Sequence, residues 1–325
     1  MREKVRFIWL RILRSTIIII GILIVNFALL HAAPGDVVEV LAGEAGGSDK
    51  AYLDQLRAAY GLDQPLIVQF FDYAAGLLTF DLGWSPRSNA SIASLIFSRL
   101  PATLILAGGA LIGALLLGVS FGALAARRPN SVVDNILSVV SLFAYAVPVF
   151  WLGLMFVVFF SINLGWFPTG GYRSVAQDYQ GIAYVLDVAW HAVLPIMTLS
   201  LFYAAIYARL VRASMLEVSN LDYVRTARAK GLSDRRVLFR HILRNALIPL
   251  VTMIGIQLGS LFGGAVVVEM VYSWPGLGRL AFEAIMARDL NLLLGILYLS
   301  SLMVVIINIA MDFVYATLDP RIRVE

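Results

Sequence analysis

The sequence predicts an all-α integral membrane protein with six transmembrane helices. Hydrophobic residues make up 60% of the 325 residues and charged residues only 14%, whereas soluble domains carry about 25% charged residues. So little polar surface is typical of a chain whose solvent is lipid. A transmembrane helix needs about 20 mostly apolar residues. Six segments of about that length or more contain no Asp, Glu, Lys or Arg: 15–35, 100–126, 135–172, 190–208, 245–268 and 290–311.

Residues 1–35 are predicted to form a cytoplasmic N-terminus and the first transmembrane helix. A basic start followed by an apolar run and Ala32–Ala33 also occurs in cleaved signal peptides. Cleavage would leave five transmembrane helices and an extracytoplasmic N-terminus. We favour six helices because the apolar stretch reaches back to Trp9, which is long for a signal sequence.

Residues 36–99 are predicted to form an extracytoplasmic segment, because acidic side chains outnumber basic ones there and no run is apolar enough to span a membrane. Residues 53–60 and 66–78 have the periodicity of amphipathic helices and are separated by Gly61 and Pro65. The stretch after Gly83 has the composition of a loop.

Residues 100–318 are predicted to form a core of five transmembrane helices, followed by a cytoplasmic tail at 319–325. The charge-free segment 135–172 is too short for two helices, so its helix is expected to end where Asn163, Pro168 and Gly170 begin a loop. Lys and Arg concentrate in cytoplasmic loops of membrane proteins. With six helices, every basic cluster falls on one side: 2–14, 127–128, 209–212, 225–244 and 321–323. This distribution also argues against nucleic acid as the reason for the net charge of +4.

The loop at residues 217–245 is the most informative cytoplasmic segment. Asp222 is expected to cap a short helix, which Gly231 can end in the left-handed conformation. Ser233 and Asp234 are expected to cap a second helix that runs through Arg244. One interpretation is a basic loop lying on anionic lipid. The other is a docking helix that transmits force from a cytoplasmic partner.

Residues 222–249 resemble the permease signature of binding-protein-dependent ABC importers, most closely the dipeptide, oligopeptide and nickel branch. That signature has Glu-Ala-Ala, three residues, Gly, nine residues and Ile-x-Leu-Pro. Here Arg225-Thr226-Ala227 replaces Glu-Ala-Ala, Gly231 fits, and Ile248-Pro249 comes five residues late, as is usual in the peptide branch. The long segment between the first two helices resembles that of the first, B-type permease. Further similar segments occur in family order: 33–36, 60–70, 76–83, 99–104, 148–153, 191–195, 263–269, 274–278 and 318–323.

The resemblance implies the type I permease fold of ABC importers in the cytoplasmic (inner) membrane of a prokaryote. It implies four kinds of partner: a second homologous permease, two ATP-binding subunits or domains that use ATP and Mg, an extracytoplasmic substrate-binding protein, and membrane lipid. Peptides are the expected substrate, with nickel chelates, opines, glutathione and oligosaccharides as alternatives.

The residues that the resemblance assigns to coupling with the ATPase all lie in the 217–245 loop: Asp222, Tyr223, Arg225, Thr226, Ala227, Ala229, Lys230, Gly231, Leu232 and Ser233. Polar and small residues inside predicted membrane helices mark candidate positions on a translocation path or gate. These are Tyr203, Tyr207, Gln257, Gly259 and Glu269. Glycines four residues apart in the second and fifth helices predict close helix packing, either within this chain or against a second permease.

The sequence disfavours an enzyme. It lacks the Gly-x-x-x-x-Gly-Lys-Ser/Thr loop that cradles nucleotide phosphates, so we expect ATP hydrolysis to belong to a partner. It has no cysteine, and its three histidines are far apart. We therefore expect no bound cofactor, no metal and no catalytic residue. A single-chain channel or secondary carrier remains the alternative of another class, although no ionisable residue lies clearly at the middle of a predicted membrane helix.

Overall fold

A computed structural model of the protein describes residues 2–32, 63–85 and 87–318, which are mostly helical. The helices are α1 (Arg2–Ala32), α2 (Leu66–Leu78), α3 (Ile92–Arg127), α4 (Val132–Ala146), α5 (Val149–Asn163), α6 (Ile182–Ser219), α7 (Asp222–Ala229), α8 (Asp234–Ala246), α9 (Ile248–Val271), α10 (Leu277–Ala287) and α11 (Leu290–Leu318). An antiparallel ribbon pairs β1 (Trp84–Ser85) with β2 (Ala90–Ser91). The helix predicted at 53–60 and the tail at 319–325 lie outside the described residues.

Within the described residues, four helices are long and apolar enough to cross a membrane singly, and the number rises to six if each of two bent helix pairs is one span. The four are α1, α3, α6 and α11, and each overlaps a predicted transmembrane segment. The expectation of an all-α membrane protein is confirmed. The predicted amphipathic helix at 66–78 is α2, with the same bounds.

The third predicted transmembrane segment was expected to be one helix, which is wrong. It consists of α4 and α5, which meet at an angle of 104°. The cause is Pro148, which has no N–H to donate and disfavours helical geometry in the residue before it. Val147 accordingly has extended backbone angles, with φ −75° and ψ 131°. The expected helix end at Asn163 is confirmed, and the final turns of α5 are a π-helix.

The chain divides into two compact units. One contains Met1–Arg99 and Leu280–Ile309, and the other contains Leu100–Arg279 and Ala310–Glu325. In the first unit, Leu23 of α1, Ala74 and Leu77 of α2 and Tyr298 of α11 form a buried cluster.

The core of the second unit surrounds α6, whose Tyr207 and Val211 are fully buried. The glycines of α3 lie directly against this helix: a Cβ at Gly118 would come within 2.6 Å of the Tyr207 Cβ, and one at Gly122 within 2.6 Å of the Ala208 carbonyl oxygen. Gly109 and Gly113 similarly lie against Ile196 and Ser200. Residue numbers increase together along both helices, so α3 and α6 run parallel, as the predicted topology requires for its second and fourth helices. The glycines of α3 therefore serve packing within the chain.

Candidate functional site

The short helix α7 presents most of the predicted coupling residues to solvent. Val224 and Ala227 are its buried side chains and join the core around α6. Asp222, Tyr223, Arg225, Thr226, Ala229 and Lys230 are exposed. Ala227 thus anchors the helix by packing, while the exposed residues form a surface that a partner could contact. Asp222 is the first residue of the helix and not its cap: Leu221 is in the capping position, and no side chain caps the helix.

Gly231 ends α7 in the left-handed conformation, with φ +76°, as predicted. The N–H of Lys230 donates to Thr226 O at 3.0 Å and that of Gly231 to Arg228 O at 2.9 Å, which satisfies carbonyls of the last turn. A Cβ at Gly231 would meet no atom within 4 Å. The requirement for glycine is therefore conformational rather than steric. Leu232, half-buried, and Ser233, exposed, lead into α8.

The second helix of the 217–245 loop starts at Asp234 as predicted, but it extends to Ala246 and contains π-helical turns at Val237–Leu243. Ser233 occupies its capping position without a side-chain hydrogen bond, so the predicted cap contact is absent. A polar cluster joins this helix to α7. Asn245 Nδ2 donates to Tyr223 Oη and to His241 O, both at 2.8 Å, and Tyr223 Oη donates to His241 O at 3.2 Å. Sequence reasoning did not identify Asn245 as a partner of Tyr223, because nothing in their spacing places them together.

An ion pair connects α6, which leads into α7, to the start of α4. Arg212 donates through Nε to Asp134 Oδ1 at 2.5 Å and through Nη2 to Oδ2 at 2.7 Å. The Asp134 side chain is almost fully buried and also accepts from the Asn130 N–H at 2.9 Å. The Asp134 N–H in turn donates to Ser131 Oγ at 3.2 Å, which caps α4. A Ser-x-x-Asp pattern could have predicted the cap, but not the distant arginine.

Glu269 lies at the end of α9 and is completely buried. Its carboxylate accepts from Thr103 Oγ1 at 3.0 Å and from the backbone N–H of Arg279 at 2.8 Å. Thr103 Oγ1 also accepts from the Leu277 N–H at 2.7 Å. The carboxylate thus faces the start of α10, where backbone N–H groups favour an anion. Glu269 was predicted to lie on a translocation path or gate, and the structure shows its carboxylate bound to the backbone N–H of Arg279.

The turn between α9 and α10 folds tightly around Glu269. Trp274 donates from Nε1 to Ala102 O at 2.8 Å, and its ring centroid is 4.9 Å from that of Tyr172. A Cβ at Gly276 would overlap the Glu269 carboxylate. Glycine is therefore needed at 276 for close approach.

The remaining predicted path residues do not share one exposed surface. Tyr203 and Tyr207 are buried in the core around α6, whereas Gln257 and Gly259 of α9 are half-buried. Tyr207 Oη and Gln257 Oε1 are buried atoms that have no hydrogen-bond partner among the residues that the structure describes. Among the described residues, no three side chains of His, Asp or Glu are placed to hold a metal ion.

Comparison with known proteins assigns nearly the whole chain to one family. Residues 118–324 match the family described as binding-protein-dependent transport system inner membrane component, and residues 4–107 match the N-terminal segment of such membrane components. The oligopeptide transport system permease protein AppB of Bacillus subtilis is 38% identical over 96% of this chain and 98% of its own length. The dipeptide transport system permease protein DppB of Escherichia coli is 36% identical over 94% of each chain.

A solved structure has the same fold. A chain of the MetNI methionine ABC transporter in an inward-facing crystal form superposes with a TM-score of 0.56 at 19% identity, covering 69% of this chain and 96% of its own. The helical core of this chain therefore has the fold of that transporter chain. This chain belongs to the family of inner membrane components of binding-protein-dependent transport systems.

Proposed function

We propose that this chain is one permease subunit of an ATP-driven ABC importer that takes up dipeptides or oligopeptides. The observation that carries this proposal is the likeness, over almost the entire chain, to permease proteins named for oligopeptide and dipeptide transport. The chain contributes a translocation path and mechanical coupling, and it carries out no chemical reaction itself.

Its partners are a second homologous permease, two ATP-binding subunits or domains, and an extracytoplasmic substrate-binding protein. The ATP-binding partners hold ATP and Mg, and this chain binds no cofactor. Both termini and the 217–245 loop face the cytoplasm. This orientation is supported by the basic clusters, which all fall on one side of a six-helix topology.

The exposed side of α7 docks on an ATP-binding subunit. The residues proposed for this contact are Asp222, Tyr223, Arg225, Thr226, Ala229, Lys230, Gly231 and Ser233, with Ala227 and Leu232 supporting them from behind. When ATP binding brings the two ATP-binding subunits together, α7 moves with them. The movement passes into α6 through the short connection Asn220–Leu221 and into α4 through the Asp134–Arg212 pair. The helices tilt, and the path opens alternately to either side.

The path itself is proposed to involve Tyr203, Tyr207, Gln257 and Gly259, with Glu269 at the outer gate. Tyr207 and Gln257 are favoured because each holds a buried polar atom without a partner. A buried polar atom without a hydrogen bond costs free energy in a static core. Rearrangement of the surrounding helices would let these atoms bind substrate or water.

Purification of the tagged chain from its native membrane in mild detergent, followed by mass spectrometry, tests the permease assignment. We expect a second permease and ATPases that contain the phosphate-binding loop. Liposomes containing this complex, with ATP inside and the binding protein outside, should take up labelled dipeptide or oligopeptide. A chain that purified alone and moved solute without ATP would instead be a carrier or channel.

The same liposomes test the substrate assignment independently of the transporter class. A nickel chelate, an opine, glutathione and an oligosaccharide are each offered in place of peptide. Uptake of one of these, with no uptake of peptide, would refute the peptide assignment and leave the importer assignment standing.

A further inference from the structure

Helix α2 packs alongside α1 in the opposite direction. Gln69 Oε1 lies 3.1 Å from His31 Nε2, and the rings of Phe70 and Tyr73 lie 5.4 and 5.8 Å from that of Phe27. Further along, Ala74 and Leu77 share a buried cluster with Leu23. As the number rises from 69 to 77 in α2, the neighbouring number falls from 31 to 23 in α1. The two helices are therefore antiparallel neighbours.

Because of this pairing, α2 extends along the first transmembrane helix as far as its middle. The apolar stretch of α1 runs from Leu13 to Ala32, 20 residues, which is about 30 Å of helix and equals the hydrocarbon thickness of a bilayer. Leu23 lies ten residues, or about 15 Å, from Leu13. Leu77, in the same cluster as Leu23, is therefore near the bilayer centre. The 13 residues of α2 extend about 20 Å, enough to reach that depth from the Ala32 end but too little to cross.

At the deep end of α2, three carbonyls of the last turn accept hydrogen bonds from within the chain. The N–H and hydroxyl of Thr79 both donate to Ala75 O, at 3.0 and 2.9 Å. The Asp81 N–H donates to Gly76 O at 2.9 Å and the Phe80 N–H to Leu77 O at 3.2 Å. Unpaired carbonyls would cost several kcal/mol each in hydrocarbon, so this capping is what a helix end inside a membrane requires.

The chain then returns to the side from which it came. Leu82 lies against Gly295 of α11, and the Ser85 hydroxyl donates to Asp289 just before that helix begins. The seven residues from Leu78 to Ser85 can extend about 23 Å, which is long enough to return from the middle of the bilayer to the surface at the Ala32 end of α1. A helix that enters to mid-depth and a connection that leaves on the same side together form a re-entrant segment.

One face of α2 is apolar and is left uncovered by the part of the chain that the structure describes. Ile67, Phe71 and Leu78 are exposed by 72%, 66% and 60%, and their positions fall within about 40° on the helix circumference. Asp72 projects about 120° away from the middle of this stripe. At this depth, an exposed stripe without charge has the chemistry of a lipid-facing surface. α1, in the same unit, leaves Ile20 and Ile24 exposed in the same way.

We infer that α2 is a re-entrant half-helix whose Ile67–Phe71–Leu78 face is covered by lipid acyl chains of the leaflet at the Ala32 end of α1. In the predicted topology this is the outer leaflet. The segment between the first two transmembrane helices therefore has a membrane-embedded part that anchors it to α1 and α11, and it is not wholly extracytoplasmic.

Spin labels on single cysteines test this inference, because the chain has no native cysteine. Ile67→Cys, Phe71→Cys and Leu78→Cys are labelled in the complex that purifies with this chain, in lipid nanodiscs. Ile24→Cys provides the lipid reference and Val175→Cys, at 99% exposure, the water reference. Power saturation with oxygen and with a water-soluble nickel chelate then measures contact with lipid and with water.

We expect all three labels on α2 to contact oxygen and to exclude the nickel chelate. Their depth should increase from 67 to 71 to 78, with position 78 within about one helical turn, or 5 Å, of the Ile24 reference. Equal depths would mean a helix lying flat at the interface, and access by the nickel chelate would mean an aqueous surface. Exclusion of both reagents would mean that a protein covers the face. Each of these three results would overturn the inference.

A second measurement in native membranes needs no purification. A membrane-impermeant maleimide should label Val175→Cys and leave Phe71→Cys and Leu78→Cys unlabelled. Labelling at all three positions would likewise overturn the inference.

Discussion

Two glycines show how single residues support the candidate site for different reasons. Gly231 has φ +76° with open space where a Cβ would lie, whereas a Cβ at Gly276 would overlap the Glu269 carboxylate. The first position demands a backbone conformation, and the second demands close approach. Substitutions that separate conformation from volume can therefore test each role.

At Gly231, valine and asparagine should give different results. A β-branched residue in the left-handed region is strained by roughly 1–2 kcal/mol or more, while asparagine adopts this conformation more readily. We expect Gly231→Val to abolish uptake and substrate-stimulated ATP hydrolysis while the complex still assembles, and Gly231→Asn to retain most activity. Both are measured in proteoliposomes. Undiminished uptake by the valine variant would refute the coupling role of this turn.

At Gly276, even alanine should be destabilising. Forcing a methyl group into the space of the Glu269 carboxylate is overpacking, which typically costs about 1–3 kcal/mol. Gly276→Ala should therefore lower the thermal unfolding midpoint of the purified complex. Gly108→Ala is the matched control, because a Cβ there meets nothing within 4 Å and alanine favours a helix. Equal midpoints for the two variants would contradict the packing described here.

At the scale of the elements, α6 organises the second unit. The glycines of α3 let that helix approach α6 closely, Arg212 of α6 binds Asp134 at the start of α4, and α7 follows α6 after two residues. The 104° bend between α4 and α5 lies at Val147 and Pro148. A displacement of α7 would consequently reach α6 through the two-residue connection and α8 through the hydrogen bond between Tyr223 and Asn245.

The Asp134–Arg212 pair should matter for stability and be partly exchangeable. Removing one member of a buried pair leaves an uncompensated charge and typically costs about 3–5 kcal/mol of stability. Because Arg212 is only half-buried, we expect Asp134→Asn to lose an amount at the lower end of this range. The unfolding midpoint should fall for Asp134→Asn and recover in part for the double variant Asp134→Arg with Arg212→Asp. The exposed Asp178→Asn should have no effect. A double variant no more stable than either single exchange, Asp134→Arg or Arg212→Asp, would argue against a direct pair.

At the scale of the whole molecule, the topology assigns opposite sides to two exposed positions. Val175 lies in the connection before α6, predicted to be extracytoplasmic, and Ser233 lies in the 217–245 loop, predicted to be cytoplasmic. In intact spheroplasts, an impermeant maleimide should label Val175→Cys, and it should label Ser233→Cys only after the membrane is permeabilised. The reverse pattern would invert the orientation, and labelling of both sites in intact cells would contradict the six-helix topology.

Local sequence patterns predicted the fold class, the approximate membrane helices, the helix at 66–78 and the glycine turn at 231. These follow from local properties, since hydrophobic length, charge distribution and backbone preference are each carried by neighbouring residues. The tertiary structure alone decided that Asp134 binds Arg212, that Tyr223 binds Asn245 and that Glu269 faces the start of α10. It also placed α2 antiparallel against α1. Each of these depends on contacts between segments far apart in the chain, which local sequence does not encode.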